Sequence, residues 1–361
     1  MAINLLTTYK RQMVDGFAHE SFTVGKTSKN WSWDGSQTIK YKSMITIAPT
    51  ESWPNGPRSG WARYGTPTDV EDVVQEMKLR HHMKWTRTID NSDNVQSAMM
   101  YNAGAYIKQQ QREQDIPAQD RWALLEWARH AGVVKTAAAT LSKSNIIDHL
   151  LDLETDLDEA GVPQDNRYVY IKYAYRKLIR TAPEWVGSDT ITRDMILKGY
   201  EGNIGSLMFV FVPASLMPEN VEALVTYKES VIEPVVWKKI RVNPDADGID
   251  GALLEYHSLG DAFVIGVKQA GVIALLKNGA SAQAATPTKV DSSGTTTLTS
   301  SGNTIYYTLD GTDPRWSETA IQTSSGGTLT TPSSGTTLRA IARKEAAGSE
   351  KYTSAELKVT Y

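Results

Sequence analysis

An α+β domain followed by a small all-β sandwich is the fold class that the sequence predicts, and three observations carry it. Stretches of helical and strand periodicity are interleaved up to residue 278 in an order that fits neither a doubly wound sheet nor a helical bundle. At Thr286 the composition changes to Ser, Thr, Gly and short apolar pieces, just beyond the linker-like run ASAQAA at 280–285. Ahead of both lies a segment with many tryptophans but too few aliphatic residues for a core of its own. The expected division is 1–35, 36–90, 91–278, a linker at 279–285, and a sandwich at 286–361.

Taken in order, residues 1–35 read as an extended arm. Ser36–Ala48 alternates with period two and reads as a strand, with Lys78–Ile89 as its expected partner. Between them runs the excursion PTESWPNGPRSGWARYGTPTD (49–69), whose four prolines and three glycines accompany Trp53, Trp61 and Tyr64. A loop of this length with exposed aromatics and no aliphatic core is expected to lie on another subunit. A helix follows over Asn94–Arg112, with Val95, Met99, Ala103, Tyr106 and Ile107 on one face and Asp93 as N-cap. A second helix starts at Pro117 and stops at Gly132, and a third runs from Ser144 to Gly161 with Pro163 just beyond. Then come β-type runs at Arg167–Lys172, Ser206–Pro213, Val221–Tyr227, Leu253–His257 and Asp261–Val267. In the tail, the runs Thr295–Ser300, Thr304–Leu309, Thr336–Arg343 and Glu356–Tyr361 alternate with turn residues, and Ile305, Leu338, Ile341 and Val359 supply apolar residues for a core.

Composition removes several classes of function. There is no cysteine, so disulfides, thiolate metal sites and cysteine nucleophiles are absent, and stability must come from packing or assembly. The N-terminal run MAINLLTTYKRQMVDGF lacks the basic-then-apolar signal pattern, and no run approaches the ~20 apolar residues of a membrane span, so no membrane association is expected. A net charge of −3 argues against a protein whose work is gripping nucleic acid. Five of the ten tryptophans (Trp31, Trp33, Trp53, Trp61, Trp85) fall in the first 85 residues, which points to contact with something outside the chain's own core.

A search for chemistry finds none. His81 and His82 are adjacent on a strand, point to opposite faces and have no third ligand at zinc spacing. The run NPDADGIDG at 243–251 lacks the ordered acids and closing Glu of a calcium loop and reads as a hairpin turn. No serine sits in a G-x-S-x-G elbow, and GYEGNIG at 199–205 follows no clear strand and matches no phosphate-binding pattern. Asp158 and Glu159 end an acidic helix and read as its solvated face. No catalytic residue, metal site or cofactor is expected.

Charge is patterned around the excursion. Arg58 and Arg63 lie in a stretch without acids, and Asp69, Glu71, Asp72 and Glu76 follow within eight residues. Two readings stay open: solvated loops, or a basic tip that meets the acidic segment of a neighbouring copy.

The stretch FTVGKTSKNWSWDGSQTIKYKSMITIAPT (22–50), then RYGTPTDVEDVVQEM (63–77), resembles the N-arm and extended loop of tailed-bacteriophage major capsid proteins of the Hong Kong 97 fold. QREQDIPAQDRW (111–122), GVPQDNRYVYI (161–171), FVFVP (209–213) and IDGALLEYHSLGDAFVIGVK (249–268) extend the resemblance over most of 1–278. It implies an N-arm at 1–35, an extended loop at 36–90, a spine helix near 94–112, and peripheral and axial domains within 91–278. It implies a coat protein assembling in the host bacterial cytoplasm as hexamers and pentamers, with scaffolding protein, portal and decoration proteins as partners, around DNA held without sequence specificity. Trp31, Trp33, Trp53, Arg58, Trp61, Arg63, Tyr64, Asp69, Glu71, Asp72 and Glu76 become the candidates for contact between subunits. Some relatives crosslink through an extended-loop lysine. Here no Lys lies between Lys42 and Lys78, so interlocking without covalent bonds is expected. Others begin with a long helical scaffolding segment; this chain enters the arm almost at once, which implies a separate scaffolding protein. An encapsulin-type shell is the alternative.

The tail carries its own resemblance: TIYYTLDGTDPRWS (304–317) and LRAIARKEAAGSEKYTSAE (338–356) are similar to the chitobiase/β-hexosaminidase C-terminal domain, an ancillary Ig-like sandwich. It implies a fold and no hydrolase. A surface decoration is expected, and Tyr306, Asp310, Asp313 and Trp316 are candidates for binding surface glycans.

Overall fold

A computed structural model of the chain describes residues 20–33, 35, 38–44, 72–91, 103–182, 205–244, 248–279, 284–315, 317, 319–343 and 352–361. At its centre lies a five-stranded mixed sheet in the order β5 (Val133–Thr136), β13 (Val272–Leu276), β8 (Val221–Tyr227), β6 (Arg167–Lys172), β7 (Leu207–Val212). The outer pairs β13–β5 and β6–β7 are parallel, and the inner pairs are antiparallel. The strands β7 (LMFVFV) and β13 (VIALL) are continuous apolar runs, as expected of a sheet covered on both faces. Period-two geometry sends Tyr170, Val212, Leu224, Val272 and Ala274 to one face and Val169, Ile171, Ala223, Val225 and Ile273 to the other.

A helical rod runs through α1 (Ala103–Gln110), a π-helical turn over Gln111–Asp115, and α2 (Ile116–Arg129); the first face packs on α2, whose Ala123, Leu124 and Trp127 are fully buried. The second face packs on α3 (Ile146–Glu159) and α4 (Tyr173–Arg180). In α3, Ile146, Ile147, Leu150, Leu153 and Leu157 form one buried stripe at helical spacing. At the end of α3, Arg167 is fully buried and tied down by Pro163 O (2.8 Å), Ser206 Oγ (2.9 Å) and Asp158 Oδ1 (2.7 Å). Gly205 turns the chain into β7 at φ +54°, a left-handed conformation that side chains rarely adopt, and a Cβ there would also displace the Glu154 carboxylate, so glycine is favoured.

Two further three-stranded sheets flank this body. β1 (Ser32–Trp33), β2 (Thr38–Met44) and β3 (Asp72–Lys78) form one, and β10 (Val235–Asn243), β11 (Gly251–Gly260) and β4 (His81–Asp90) form the other. A short pair, β9 (Val231–Ile232) with β12 (Phe263–Val264), seals the cluster of Ile39, Met77, Leu79, Leu259, Phe263 and Ile265 between them.

The tail is a sandwich. One sheet holds β14 (Thr288–Ser292), β15 (Thr295–Thr299) and β18 (Gly327–Thr330); the other holds β17 (Ile321–Ser324), β16 (Thr304–Thr308), β19 (Thr337–Arg343) and β20 (Leu357–Thr360). Leu298, Ile305, Leu338 and Ala340 are fully buried between them.

Three sequence expectations are corrected. The partner of the 36–48 strand is β3, in the register Ile39↔Met77, while the 78–89 segment pairs with β11. Alternation marks a strand but holds no information on its long-range partner. The helices expected on either side of Arg112–Pro117 are continuous, because the π turn absorbs the join and Pro117 sits at the start of α2, where its missing N–H costs little. Asp261–Val267 is a strand only at Phe263–Val264, followed by a 3-10 turn over Gly266–Gly271. Most of the excursion (45–71) and residues 92–102 of the expected spine helix lie outside the described residues.

Candidate assembly surfaces

The N-terminal arm is strapped to the body by an aspartate. Asp120 on α2 is 2% exposed; one of its oxygens accepts from Ser21 Oγ (2.7 Å) and Thr23 Oγ1 (3.0 Å), the other from Phe22 N (2.8 Å). Further on, Glu229 accepts from Ser28 Oγ (2.7 Å) and Asn30 Nδ2 (3.0 Å), and Ser28 N donates to Val231 O (2.9 Å). Beside the strap, the Glu233 carboxyl accepts from Gln119 Nε2 (2.8 Å). Burial, reinforced by the Asp120 charge against donation from Thr23 and Gln119, pushes its pKa up to about 7. An acid within the apolar periodicity of α2, a feature that Glu126 shares, is the only local signal for Asp120; nothing local marks Glu229 or Glu233.

The residues expected to meet neighbouring subunits fall unevenly. Trp31 packs against the chain's own cluster around Ile39 and Phe263. Trp33 is 45% exposed on β1. Glu76 lies on β3 and pairs with Lys40 at 3.2 Å across the β2–β3 ladder, and Asp72 begins the same strand. Trp53, Arg58, Trp61, Arg63, Tyr64, Asp69 and Glu71 lie outside the described residues.

The three-stranded sheet β10–β11–β4 has two unlike faces. On one, Trp85 and Tyr256 stack with centroids 5.6 Å apart. Trp85 also meets Tyr106 of α1 edge-on at 6.2 Å and donates from Nε1 to Asp115 Oδ2 at 3.1 Å. Burial raises the Asp115 carboxyl, partly offset by that donation and by Lys238. On the other face His82 and His257 stack at 5.7 Å, with Trp237 edge-on to His257 at 4.5 Å. His81 points the opposite way and stacks on Trp122 at 4.4 Å, as expected of adjacent strand residues. Among the described residues no group of three or more His, Asp or Glu could hold a metal ion.

The tail sandwich is docked on the body. Tyr352 is 3% exposed within the core cluster of Trp127 and Tyr170; Thr353 N donates to Arg129 O (3.0 Å), and its hydroxyl meets His130 Nδ1 at 3.1 Å. Burial brings the His130 imidazole down to about 4 against the pull of Glu126, so it meets Thr353 as a neutral ring at pH 7.

Of the glycan-binding candidates, Asp313 and Asp310 hold the turn at one end of the sandwich. Asp313 is 2% exposed, accepts from Arg315 N (2.9 Å) and lies 3.7 Å from Arg339. Asp310 accepts from Thr312 N (3.0 Å), Thr312 Oγ1 (2.6 Å) and Thr319 Oγ1 (2.6 Å), which closes the expected turn. Tyr306 lies half-buried under the Arg343 guanidinium at 4.7 Å; Trp316 lies outside the described residues.

The profile of the Fn3-associated family matches residues 296–357. No curated protein sequence matches the chain. Among solved structures, "Mycobacterium phage Che8" superposes with TM-score 0.58 at 12% identity, over 76% of this chain and 98% of that one. "Capsid structure of the Cyanophage P-SCSP1u" gives 0.59 at 12% identity, over 76% and 94%, and "Asymmetric unit of bacteriophage PhiM1 mature capsid" gives 0.57 at 14%, over 76% and 93%. The chain therefore has the fold of a bacteriophage capsid subunit over about three quarters of its length, with an Fn3-associated sandwich at its C-terminal end.

Proposed function

We propose that the chain is the major capsid protein of a tailed bacteriophage, of the Hong Kong 97 type, which self-assembles as hexamers and pentamers into the icosahedral head around double-stranded DNA. The observation that carries this reading is the near-complete coverage of the phage capsid structures, 93–98% of their length, by a chain of the same fold. The arm and extended loop lie across neighbouring subunits through Trp33, Trp53, Trp61 and Tyr64, and the basic tip at Arg58 and Arg63 meets the acidic segment from Asp69 to Glu76. Scaffolding protein and portal act during assembly.

Expression of the full chain with its neighbouring genes, followed by negative-stain microscopy, tests the reading. Closed icosahedral shells support it; tubes or monomers overturn it. Shells loaded with a cellular enzyme in place of phage DNA identify an encapsulin-type compartment instead.

A further inference from the structure

The exposed face of the β10–β11–β4 sheet concentrates positive charge. Directly opposed residues of antiparallel strands share a face. The registers Lys239↔His257 and His257↔Lys84 therefore set these three side chains in one row. The neighbouring rows on this face are Trp237, Leu259, His82, of which Leu259 is covered by the Ile39 and Phe263 cluster while Trp237 and His82 flank it in the open, and Arg241, Glu255, Thr86. Trp85 and Tyr256 turn to the opposite face, towards α1, so this one looks away from the helix. Lys84, Lys239, Arg241 and His82 are exposed, as is Trp237 at 40%. Arg241 approaches Glu255 at 3.8 Å, whereas Lys84 and Lys239 have no ion pair among the described residues. Lys84 and Lys239 flank His257 on this face, two cations about 10 Å apart with no acid in their row.

The same chain carries the complementary surface. On α3, opposite its buried stripe, Asp148, Leu151, Asp152, Thr155 and Glu159 are exposed on one face. Leu151, 42% exposed, lies at the middle of that face. Asp156, Asp158 and Glu159 crowd the last turn, the end of a helix where acids are disfavoured. Lys135 pairs with Asp156 and Arg167 with Asp158, but Asp148, Asp152 and Glu159 have no ion pair among the described residues.

We propose that the Lys84–His257–Lys239 face docks on the acidic face of α3 in a second copy of this chain. The inference rests on the assembling-subunit reading above. The lengths agree: the helix spans about 21 Å, and the sheet rows from Trp237 to Asn243 run about 20 Å. Trp237 covers Leu151 while the lysines meet Asp148 and Asp152. Each copy gives one surface and receives the other, so the contact is heterologous and propagates around a ring, as hexamers and pentamers need.

Two experiments on the full chain test this. Because the chain has no cysteine, a Trp237→Cys variant mixed with a Leu151→Cys variant during assembly reports the contact directly. The expected result is a disulfide-linked dimer formed in the mixture and in neither variant alone. Shells without that dimer overturn the inference while leaving the capsid reading intact; a dimer without shells keeps the contact and sinks the head; neither product sinks both. In the second experiment, Lys84→Glu with Lys239→Glu, or Asp148→Lys with Asp152→Lys, each lowers the yield of assembled particles about tenfold or more, and combining all four restores most of it. Failure of the combined variant to recover overturns the inference. So does normal assembly of the lysine variant with loss of packaged DNA, which would assign the face to phosphate instead.

Discussion

Replacing Glu233 by Gln isolates one buried charge beside the arm. The Glu233 carboxyl is raised from an ordinary 4.5 to about 7, mainly because burial strips its water and partly because Asp120 is already charged nearby. A carboxyl raised on folding binds more protons folded than unfolded, so stability falls as pH climbs from 4.5 through 7, and the whole penalty is present above that. At 1.36 kcal/mol per unit the shift corresponds to about 3 kcal/mol at pH 8 and less than about 1 kcal/mol at pH 5. Gln keeps the acceptor used by Gln119 Nε2 and cannot ionise. Glu233→Gln is therefore expected to stabilise the chain by about 3 kcal/mol at pH 8 and to change little at pH 5. Urea unfolding of variant and wild type at pH 5, 6, 7 and 8 measures the difference, in which all other titrations cancel. A difference that stays flat across this range, or that grows towards acid, refutes the argument.

Other expectations follow from the same contacts. Asp120→Ala leaves Ser21, Phe22 N and Thr23 without their shared acceptor; a loss of about 3 kcal/mol and faster proteolysis within 20–31 are expected, read by limited digestion and urea titration. Tyr352→Ala opens a cavity in a core cluster it fills from the tail and costs about 3–4 kcal/mol; calorimetry should show the sandwich and body melting apart, and a single unshifted transition would contradict the docking. Arg167→Met removes donors to Pro163 O, Ser206 and Asp158 at a fully buried position and is expected to cost about 3 kcal/mol in thermal unfolding. Arg58→Glu with Arg63→Glu is expected to block assembly while leaving the melting temperature of the subunit unchanged; unchanged shell yield by microscopy would rule out the charged loop contact.

Deletion of 286–361 acquires a different meaning from these contacts. A tail that only decorates the surface could be removed without effect on the body. Here Tyr352 and Thr353 cover Trp127, Arg129 and His130, so removal uncovers core. The sequence offered no sign of this, because the body groups that Tyr352 and Thr353 bond lie 133 and 223 residues away.

What the sequence determined alone are the features set by near neighbours along the chain. The buried stripe of α3, the apolar strands β6, β7 and β8, the four tail strands it marked and the Asp310 turn all follow from periodicity and turn chemistry within a few residues. Its ordered motifs also pointed to the capsid fold. Only the tertiary structure decided which strands pair, since β2 with β3 and β4 with β11 are choices of long-range register. Only it joined Asp120 to the arm 97–99 residues away, and Tyr352 to the body. Only it separated the two faces of the β10–β11–β4 sheet, because a row such as Lys84, His257 and Lys239 comes from three distant segments and exists nowhere in the linear pattern. Local propensity acts over a turn or a strand, whereas burial and charge are properties of surfaces that folding assembles.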